Sequence, residues 1–248
     1  MIVSINQPAY LPWLGYFERI AASDLHIVLD HVQFEKNSYV NRNKVRTREG
    51  WTWLTVPLVT KGRFGDLSID KIAIAPGDPW SRKHWATLRM SYGRAPYFAG
   101  HASAYETLYK QPWTDFLPMA RAFLAQHIAD LGIDTPVQFS SAMRVTGSKS
   151  DLVLNLCLAV GADTYLSGPL GRNYLDEAAF AAAGIRIAYQ DFQHPFYAQS
   201  QPGPFEPAMG VLDLLFNHGP ASRAFLAAGT TSTDGDLTMA PAAPHLIQ

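Results

Sequence analysis

Short runs of β-branched and other apolar residues alternate with stretches of helical periodicity, and this alternation constrains the fold more than any other feature. The run IVSI at 2–5 predicts a first strand, and LHIVLD at 25–30 predicts a second. Residues 14–24 between them carry apolar side chains three or four apart, as a helix does. This succession is typical of a βαβ unit. The sequence therefore predicts an α/β fold with a mostly parallel, twisted sheet and flanking helices in Rossmann-like layers.

The same alternation returns in the second half of the chain. The predicted elements there are strands at 136–141, 164–168 and 185–192 and helices at 147–162, 173–184, 210–219 and 222–229. Between the two halves, the apolar runs 51–59 and 67–75 predict a β-hairpin. Helical patterns in succession follow from about 79 to 132, with Pro79 and Pro112 where first-turn prolines are expected.

These patterns predict the organisation of the whole chain. We expect one α/β domain over 1–229, with an insertion at about 51–132 that holds the hairpin and a helical subdomain. The last stretch, 230–248, is polar and rich in proline and alanine, and it predicts a flexible C-terminal tail.

Composition and charge exclude several broad classes of protein. A formal net charge of −1 argues against a general nucleic-acid binder, and 48% hydrophobic residues are typical of a globular protein. No secretory leader and no apolar run of the roughly 18 residues needed to span a membrane is found, so stable membrane insertion is not expected. The lone cysteine, Cys157, excludes an intramolecular disulfide and is typical of a reducing compartment. We expect a cytoplasmic protein.

Polar segments leave the predicted strands at the ends where ligands bind in open α/β sheets. The segments are NQPAYLPW after the first strand, DHVQFEK after the second and SGPLGRNY after TYLSG. If these strands are neighbours, one crevice collects Gln7, Tyr10, Trp13, Asp30, Gln33, Ser167 and Arg172. The prolines of the first segment limit its freedom, which favours a rigid pocket wall built on Tyr10 and Trp13. The alternative is that the two rings seal the core under the loop.

Two further segments offer donors to an anion. YVNRNKVR supplies Asn41, Arg42 and Asn43 in succession, a set able to hold phosphate or carboxylate, although a solvated basic loop is an equal interpretation. TGSKSDLV places Lys149 at a helix start, where exposed amides favour an anion. There the alternative is a simple capping box of Ser148 with Asp151.

Three residues are candidates for acid–base catalysis: Asp30, His84 and Glu206. Two of them have a simpler interpretation, because His84 suits a half-buried helix position and Glu206 suits a helix start. The eight histidines show no HExxH or other metal-ligand spacing, so no metal site is predicted. GxSxG and GxGxxG are also absent from the sequence, and no cofactor is indicated.

Taken together, the motifs resemble those of the WbqC-like protein family of bacterial surface-polysaccharide and related biosynthetic clusters. The matching segments are QPAYLPWLGYF (7–17), Asp30 with Gln33, NRN (41–43), LTVP (54–57), Tyr92 with APYF (95–98), Gly147 with Lys149, YLSG (165–168), FEP (205–207) and LDLLFN (212–217). Many relatives carry histidine where this chain has Asn6, so no role for an imidazole is expected at that position. The resemblance implies a pathway that handles nucleotide-linked sugars or carrier-bound acyl or aminoacyl groups.

The sequence and the resemblance together favour an enzyme that binds an anionic activated substrate for acyl or aminoacyl transfer or amide formation. In this hypothesis Asp30 is the base, with His84 and Glu206 as alternatives. Arg42 and Lys149 hold the anion. A carrier protein is a possible partner. The second hypothesis is a non-catalytic scaffold that presents a carrier-linked intermediate. The third is a nucleotidylyltransferase-like enzyme, since a strand, a Pro-containing loop and a helix are followed later by GSKS, as in such enzymes.

Overall fold

In the computed structural model, which describes residues 1–62, 65 and 67–229, two sheets organise the chain. The strands are β1 (Ile2–Asn6), β2 (Leu25–Val28), β3 (Arg42–Thr47), β4 (Gly50–Thr55), β5 (Val137–Phe139), β6 (Thr164–Ser167) and β7 (Arg186–Tyr189). The main sheet is parallel throughout, in the order β5-β2-β1-β6-β7, and β3 pairs with β4 in an antiparallel hairpin. The predicted α/β fold is confirmed. The predicted tail at 230–248 lies outside the described residues.

The strand order reverses direction at one point in the main sheet. From β1 the chain moves outward to β2 and then β5, before it crosses back to β6 and β7 on the other side of β1. In the register of the central pair, Ser4 lies opposite Leu166. Because the chain leaves β1 and β6 toward opposite sides of the sheet, the carboxyl ends of these two strands form its switch point, where open α/β sheets bind ligands, and we call this position the crevice.

Helices cover both faces of the main sheet and extend beyond it. They are α1 (Leu14–Ala21), α2 (Trp80–Tyr92), α3 (Phe98–Lys110), α4 (Phe116–Asp130), α5 (Ser140–Met143), α6 (Lys149–Ala159), α7 (Glu177–Ala182), α8 (Val211–His218) and α9 (Ser222–Ala228). In the part of the chain that the structure describes, none of them has the length and apolar character needed to cross a membrane.

Two hydrophobic cores lie on opposite faces of the sheet because successive strand side chains point to opposite sides. Val3 and Ile5 of β1 pack with α6 and α7 in the smaller core. The larger core joins α1, α2, α3, α4 and α8 around aromatic residues such as Phe17 and Phe123. Since both faces of β1 are covered, the short run IVSI is enough to define the central strand.

The hairpin lies earlier in the chain than the apolar runs predict. Arg42–Thr47 pairs with Gly50–Thr55, whereas 67–75 forms only isolated bridges and a 3-10 turn at Ile69–Lys71. The predicted pairing of 51–59 with 67–75 is present only as a short antiparallel contact, in which Leu58 bridges Ile74 and Val59 N donates to Ala73 O at 3.0 Å. Charged side chains alternate with buried residues along β3, so its sequence looked like a polar loop, and Gly50 (φ +124°) permits the tight turn.

The NQPAYLPW segment is fixed by backbone contacts with the hairpin and with α8. Tyr10 N donates to Val40 O at 2.8 Å, and Val211 N donates to Pro12 O at 2.9 Å. Asn43 Nδ2 donates to the carbonyl oxygen of Leu11, which holds a left-handed backbone (φ +50°) that leucine rarely adopts. These bonds make the segment a rigid support for the start of α1.

Three buried histidines make the stability of the fold dependent on pH. Burial lowers the pKa of His26 and His127 to about 3 and that of His84 to about 4, from an ordinary value of 6.5. Below pH 6.5 the unfolded chain therefore binds protons that the folded chain does not. Between pH 6.5 and the pKa in the folded chain, each histidine lowers the free energy of unfolding by about 1.4 kcal/mol for every pH unit of acidification.

We expect the free energy of unfolding, measured by urea titration, to fall by several kcal/mol between about pH 7 and about pH 5. A His84→Gln variant should show a shallower fall, because it lacks one of the three titrating groups. A free energy of unfolding that stays constant over this range would contradict the neutral burial of these rings.

Candidate functional site: the crevice between β1 and β6

A buried arginine lies at the carboxyl edge of the sheet, in the crevice between β1 and β6. Arg19, on α1, is 6% exposed, and burial lowers the pKa of its guanidinium. The guanidinium lies so close to Gly168, the residue after β6, that a side chain at Gly168 would collide with it. A side chain at that position would therefore displace the guanidinium from its place beside β6.

Arg19 has no carboxylate partner among the described residues. No ion pair or side-chain hydrogen bond joins its guanidinium to another residue there, and its Nε is buried without an acceptor. The adjacent Glu18 accepts a hydrogen bond from Gln190 Nε2, and its negative charge raises the pKa of Arg19 without forming an ion pair with it. A buried guanidinium of this kind needs an oxygen anion to offset its desolvation.

Asn6 adds a second buried donor to the same place. Its Nδ2 is buried without an acceptor at the end of β1. The pairing of β1 with β6 ends at Ser4 and Leu166, so Asn6 and Gly168 each follow it by two residues at the carboxyl edge of the sheet. Asn6 Nδ2 and Arg19 Nε are thus two buried donors at this edge that lack acceptors in the described residues.

Hydroxyl groups line the β6 side of the crevice. Ser167 is buried, and its Oγ donates to Gly168 O at 3.0 Å. Burial raises the pKa of Tyr165 and of Tyr174, so both phenols stay protonated and able to donate at neutral pH. Gln7, predicted to bind substrate, follows Asn6 and is half-buried, and its side chain makes no hydrogen bond to another described residue.

The start of α6 borders this edge of the sheet. Asp176 N donates to Ser150 Oγ at 2.8 Å, which joins the first turn of α6 to the segment that follows Arg172. Ser148 makes no side-chain capping bond, so the capping-box interpretation is wrong and the first amides of α6 are left to other acceptors. Lys149 (φ +50°) and Arg172 are exposed on the rim, and Arg172 stacks on Tyr189 at 3.9 Å.

Asp30 lies outside the crevice and is fully engaged as a buried brace. Its carboxylate accepts from Ser140 Oγ (2.9 Å), from Ser141 N and Oγ (both 2.8 Å) and from Arg121 Nη2 (3.2 Å). It joins the segment after β2 to the start of α5 and to α4. This is not the position of a base open to substrate.

Tyr10 and His84 lie in the larger core instead of at a pocket wall. Tyr10 is 0% exposed, and its hydroxyl hydrogen bonds His84 Nδ1 (2.9 Å) and Tyr109 Oη (2.6 Å). With a pKa of about 4, His84 is neutral at pH 7. The core interpretation of Tyr10 is therefore the correct one, whereas Trp13 stays half-exposed beside Tyr39 at a ring distance of 5.7 Å.

The predicted donors on the hairpin are used to join chain segments. Gln33 Oε1 accepts from Leu67 N, and Asn41 Nδ2 donates to Val56 O. Arg42 Nη2 donates to Asn37 O, and Asn43 is buried under Leu11. Asn41 and Arg42 line a groove of about 210 Å³, whose described lining shares no residue with the crevice.

Glu206 is half-buried and lies beside a network of buried charges that the sequence did not predict. Gln199 holds its backbone N and O, at 2.9 Å each. Deeper, Asp213 accepts from Tyr92, Tyr197 and Gln199, and burial raises its pKa. The network attaches the segment around 197–206 to α8.

The sequence predictions did not include Arg19, Asn6 or Gly168 among the site residues. One signal was available: the charged pair Glu18-Arg19 interrupts the otherwise apolar helix LGYFERIA. Both members are buried, which is rare for charged residues without a function or a partner.

The profile of the WbqC-like protein family matches residues 7–225. This chain belongs to the WbqC-like protein family. The uncharacterized protein Rv1507c of Mycobacterium tuberculosis is 35% identical over 225 residues, which cover 90% of this chain and 96% of the relative. No solved structure matches the chain. The resemblance found from the sequence motifs is confirmed, and the matched region includes Arg19 and Gly168.

A substitution at Asp30 tests whether its carboxylate stabilises the fold or acts as a catalytic base. We expect Asp30→Asn to lower the free energy of unfolding by about 2–4 kcal/mol, because an amide turns donors toward the groups that now donate to Asp30. The matched control is Asp176→Asn, at the exposed N-cap of α7, where asparagine caps about as well as aspartate. If Asp30→Asn has the same free energy of unfolding as the unsubstituted protein, the carboxylate does not stabilise the fold.

Proposed function

We propose that this protein binds the phosphate of an activated small molecule in the crevice between β1 and β6 and transfers the activated group. The observation that carries this proposal is the buried Arg19, which has no carboxylate partner in the described part of the chain. The buried donors of Arg19 and Asn6, together with the exposed cation Lys149 on the rim, favour an anion over a neutral ligand. Phosphate fits the planar fork of an arginine in a bidentate manner.

The crevice offers electrostatic stabilisation to a departing phosphate. Arg19 Nε and Asn6 Nδ2 lack acceptors in the described residues, and the neutral phenols of Tyr165 and Tyr174 lie near the guanidinium. With a nucleotide sugar as donor, the acceptor nucleophile forms a bond to the anomeric carbon while the bond from that carbon to the diphosphate oxygen breaks, and negative charge grows on the departing oxygen. A positioned guanidinium in a site of low dielectric stabilises such charge more in the transition state than in the ground state.

Membership of the WbqC-like family adds a setting to this chemistry. We propose a nucleotide sugar or a carrier-linked acyl or aminoacyl group as donor, a sugar amine as acceptor, and bacterial surface-polysaccharide or specialised biosynthesis in the cytoplasm as the pathway. In this scheme a carrier protein is a possible partner.

A non-catalytic, substrate-binding role is the second candidate, and one observation favours it. The sequence-derived bases Asp30 and His84 are buried in other networks, and neither faces the crevice. A protein that only presents a phosphorylated intermediate needs the anion site and no base.

Titration calorimetry with Arg19 variants tests the anion site. We expect Arg19→Gln to weaken binding of a nucleoside diphosphate sugar about 100-fold, because two charge-assisted hydrogen bonds are lost. The control Arg186→Gln removes an exposed cation at the amino end of β7, away from the carboxyl edge, and should change affinity by no more than about threefold. Equal affinities of Arg19→Gln and the unsubstituted protein would contradict the proposal.

Product analysis with the same donors, with and without a sugar amine, then separates the two functions. Transfer to the amine supports an enzyme, and binding without turnover supports the substrate-binding role. Release of pyrophosphate from a nucleoside triphosphate would instead support nucleotidyl transfer.

Without ligand, the unpartnered charge should reduce stability. We expect Arg19→Met, which keeps the length and removes the charge, to raise the free energy of unfolding of the ligand-free protein by about 1 kcal/mol or more. The measurement is urea unfolding with no phosphate in the buffer. A marked loss of stability would mean that the guanidinium has a structural partner and no need for a ligand.

A further inference from the structure

A row of aromatic rings crosses the outer side of the β3–β4 hairpin. Trp13, Tyr39, Trp53 and Trp51 follow one another with ring centroids 5.7, 5.8 and 5.9 Å apart. Tyr39 is 45% exposed and Trp51 is 43% exposed. An exposed aromatic patch of this kind usually marks an interaction surface.

Two cations lie on the rings of this row. Arg42 Cζ is 4.5 Å from the centre of the Trp53 ring, and Lys44 Nζ is 4.0 Å from that of Trp51. In the described residues neither cation forms an ion pair with a carboxylate. The face therefore offers apolar ring surface and uncompensated positive charge together, which complements a ligand with apolar faces and negative charge.

The geometry of the row favours a chain of saturated rings as its ligand. Neighbouring aromatic planes are inclined at 53–84°, so they do not form the flat platform on which successive nucleobases stack. The hairpin turn carries Arg48 and Glu49, and a charged turn is not suited to enter a bilayer. Sugar rings, by contrast, place their C–H faces against inclined aromatic rings and leave carboxylates or phosphates free for the cations.

We propose that this aromatic–cationic row (Trp13, Tyr39, Arg42, Lys44, Trp51 and Trp53) binds an acidic oligosaccharide. The row begins at Trp13, directly before α1, so a chain lying on it approaches the carboxyl edge of the main sheet. Arg42 and Lys44 hold its negative groups, and the rings hold its sugar units. The site is independent of Arg19 and of the crevice.

Titration calorimetry with a tetrasaccharide of galacturonic acid tests this surface, and maltotetraose serves as the uncharged counterpart. We expect the acidic chain to bind in a salt-dependent manner, and Trp51→Ala to weaken it about tenfold. Lys44→Met should weaken the acidic chain and leave the affinity for maltotetraose unchanged. Phe196→Ala removes another exposed aromatic ring, outside the row, and should have no effect.

The proposal is overturned if the unsubstituted protein does not bind the acidic tetrasaccharide, or if Trp51→Ala binds it equally well. It is also overturned if a single-stranded oligothymidine of similar charge, or vesicles of anionic lipid, bind more tightly and compete at the same residues. Circular dichroism of each variant verifies that the exposed substitutions leave the fold intact.

Discussion

The uncompensated burial of the Arg19 guanidinium is the interaction on which the site depends. Removing a guanidinium from water costs several kcal/mol, and a protein ordinarily offsets this with a carboxylate or with carbonyl oxygens. Arg46 shows the ordinary solution in this chain, because it donates to the carbonyl oxygens of Thr47, Gly50, Pro202 and Pro204. Arg19 has no such set in the described residues, and Asn6 beside it also lacks an acceptor. The difference between the two arginines suggests that the acceptor for Arg19 comes with a ligand.

The surrounding structure holds this unfavourable arrangement in place. Parallel pairing of β1 with both β2 and β6 fixes the position of the strand ends at Asn6 and Ser167, and the absence of a side chain at Gly168 makes room for the guanidinium. The NQPAYLPW segment, pinned through Asn43 and Val211, sets the start of α1 and therefore the position of Arg19. Rigidity of this kind lets a binding site keep a charge that would otherwise relax toward solvent.

The spacing of apolar residues along the chain was sufficient to predict the main sheet, because a buried parallel strand is apolar on both faces and a helix repeats its apolar residues every three or four positions. It failed at β3, where residues such as Arg42 and Lys44 alternate with buried ones and the strand looks polar. Gln7, Ser167, Lys149 and Arg172 lie near the carboxyl edge of the sheet, since topology alone brings strand ends together, and their role in binding stays a prediction. Asp30 and Tyr10 are different, because their partners Ser140, Arg121 and Tyr109 lie about a hundred residues away along the chain. No local pattern reveals that such a group is already engaged.

The most direct test of the central claim is a crystal structure of the protein grown with tungstate, a heavy tetrahedral oxyanion that substitutes for phosphate. Our account predicts strong density for the anion within hydrogen-bond distance of the Arg19 guanidinium and Asn6 Nδ2, beside Gly168. Density for the anion elsewhere, with Arg19 paired to a carboxylate of its own chain, would contradict it.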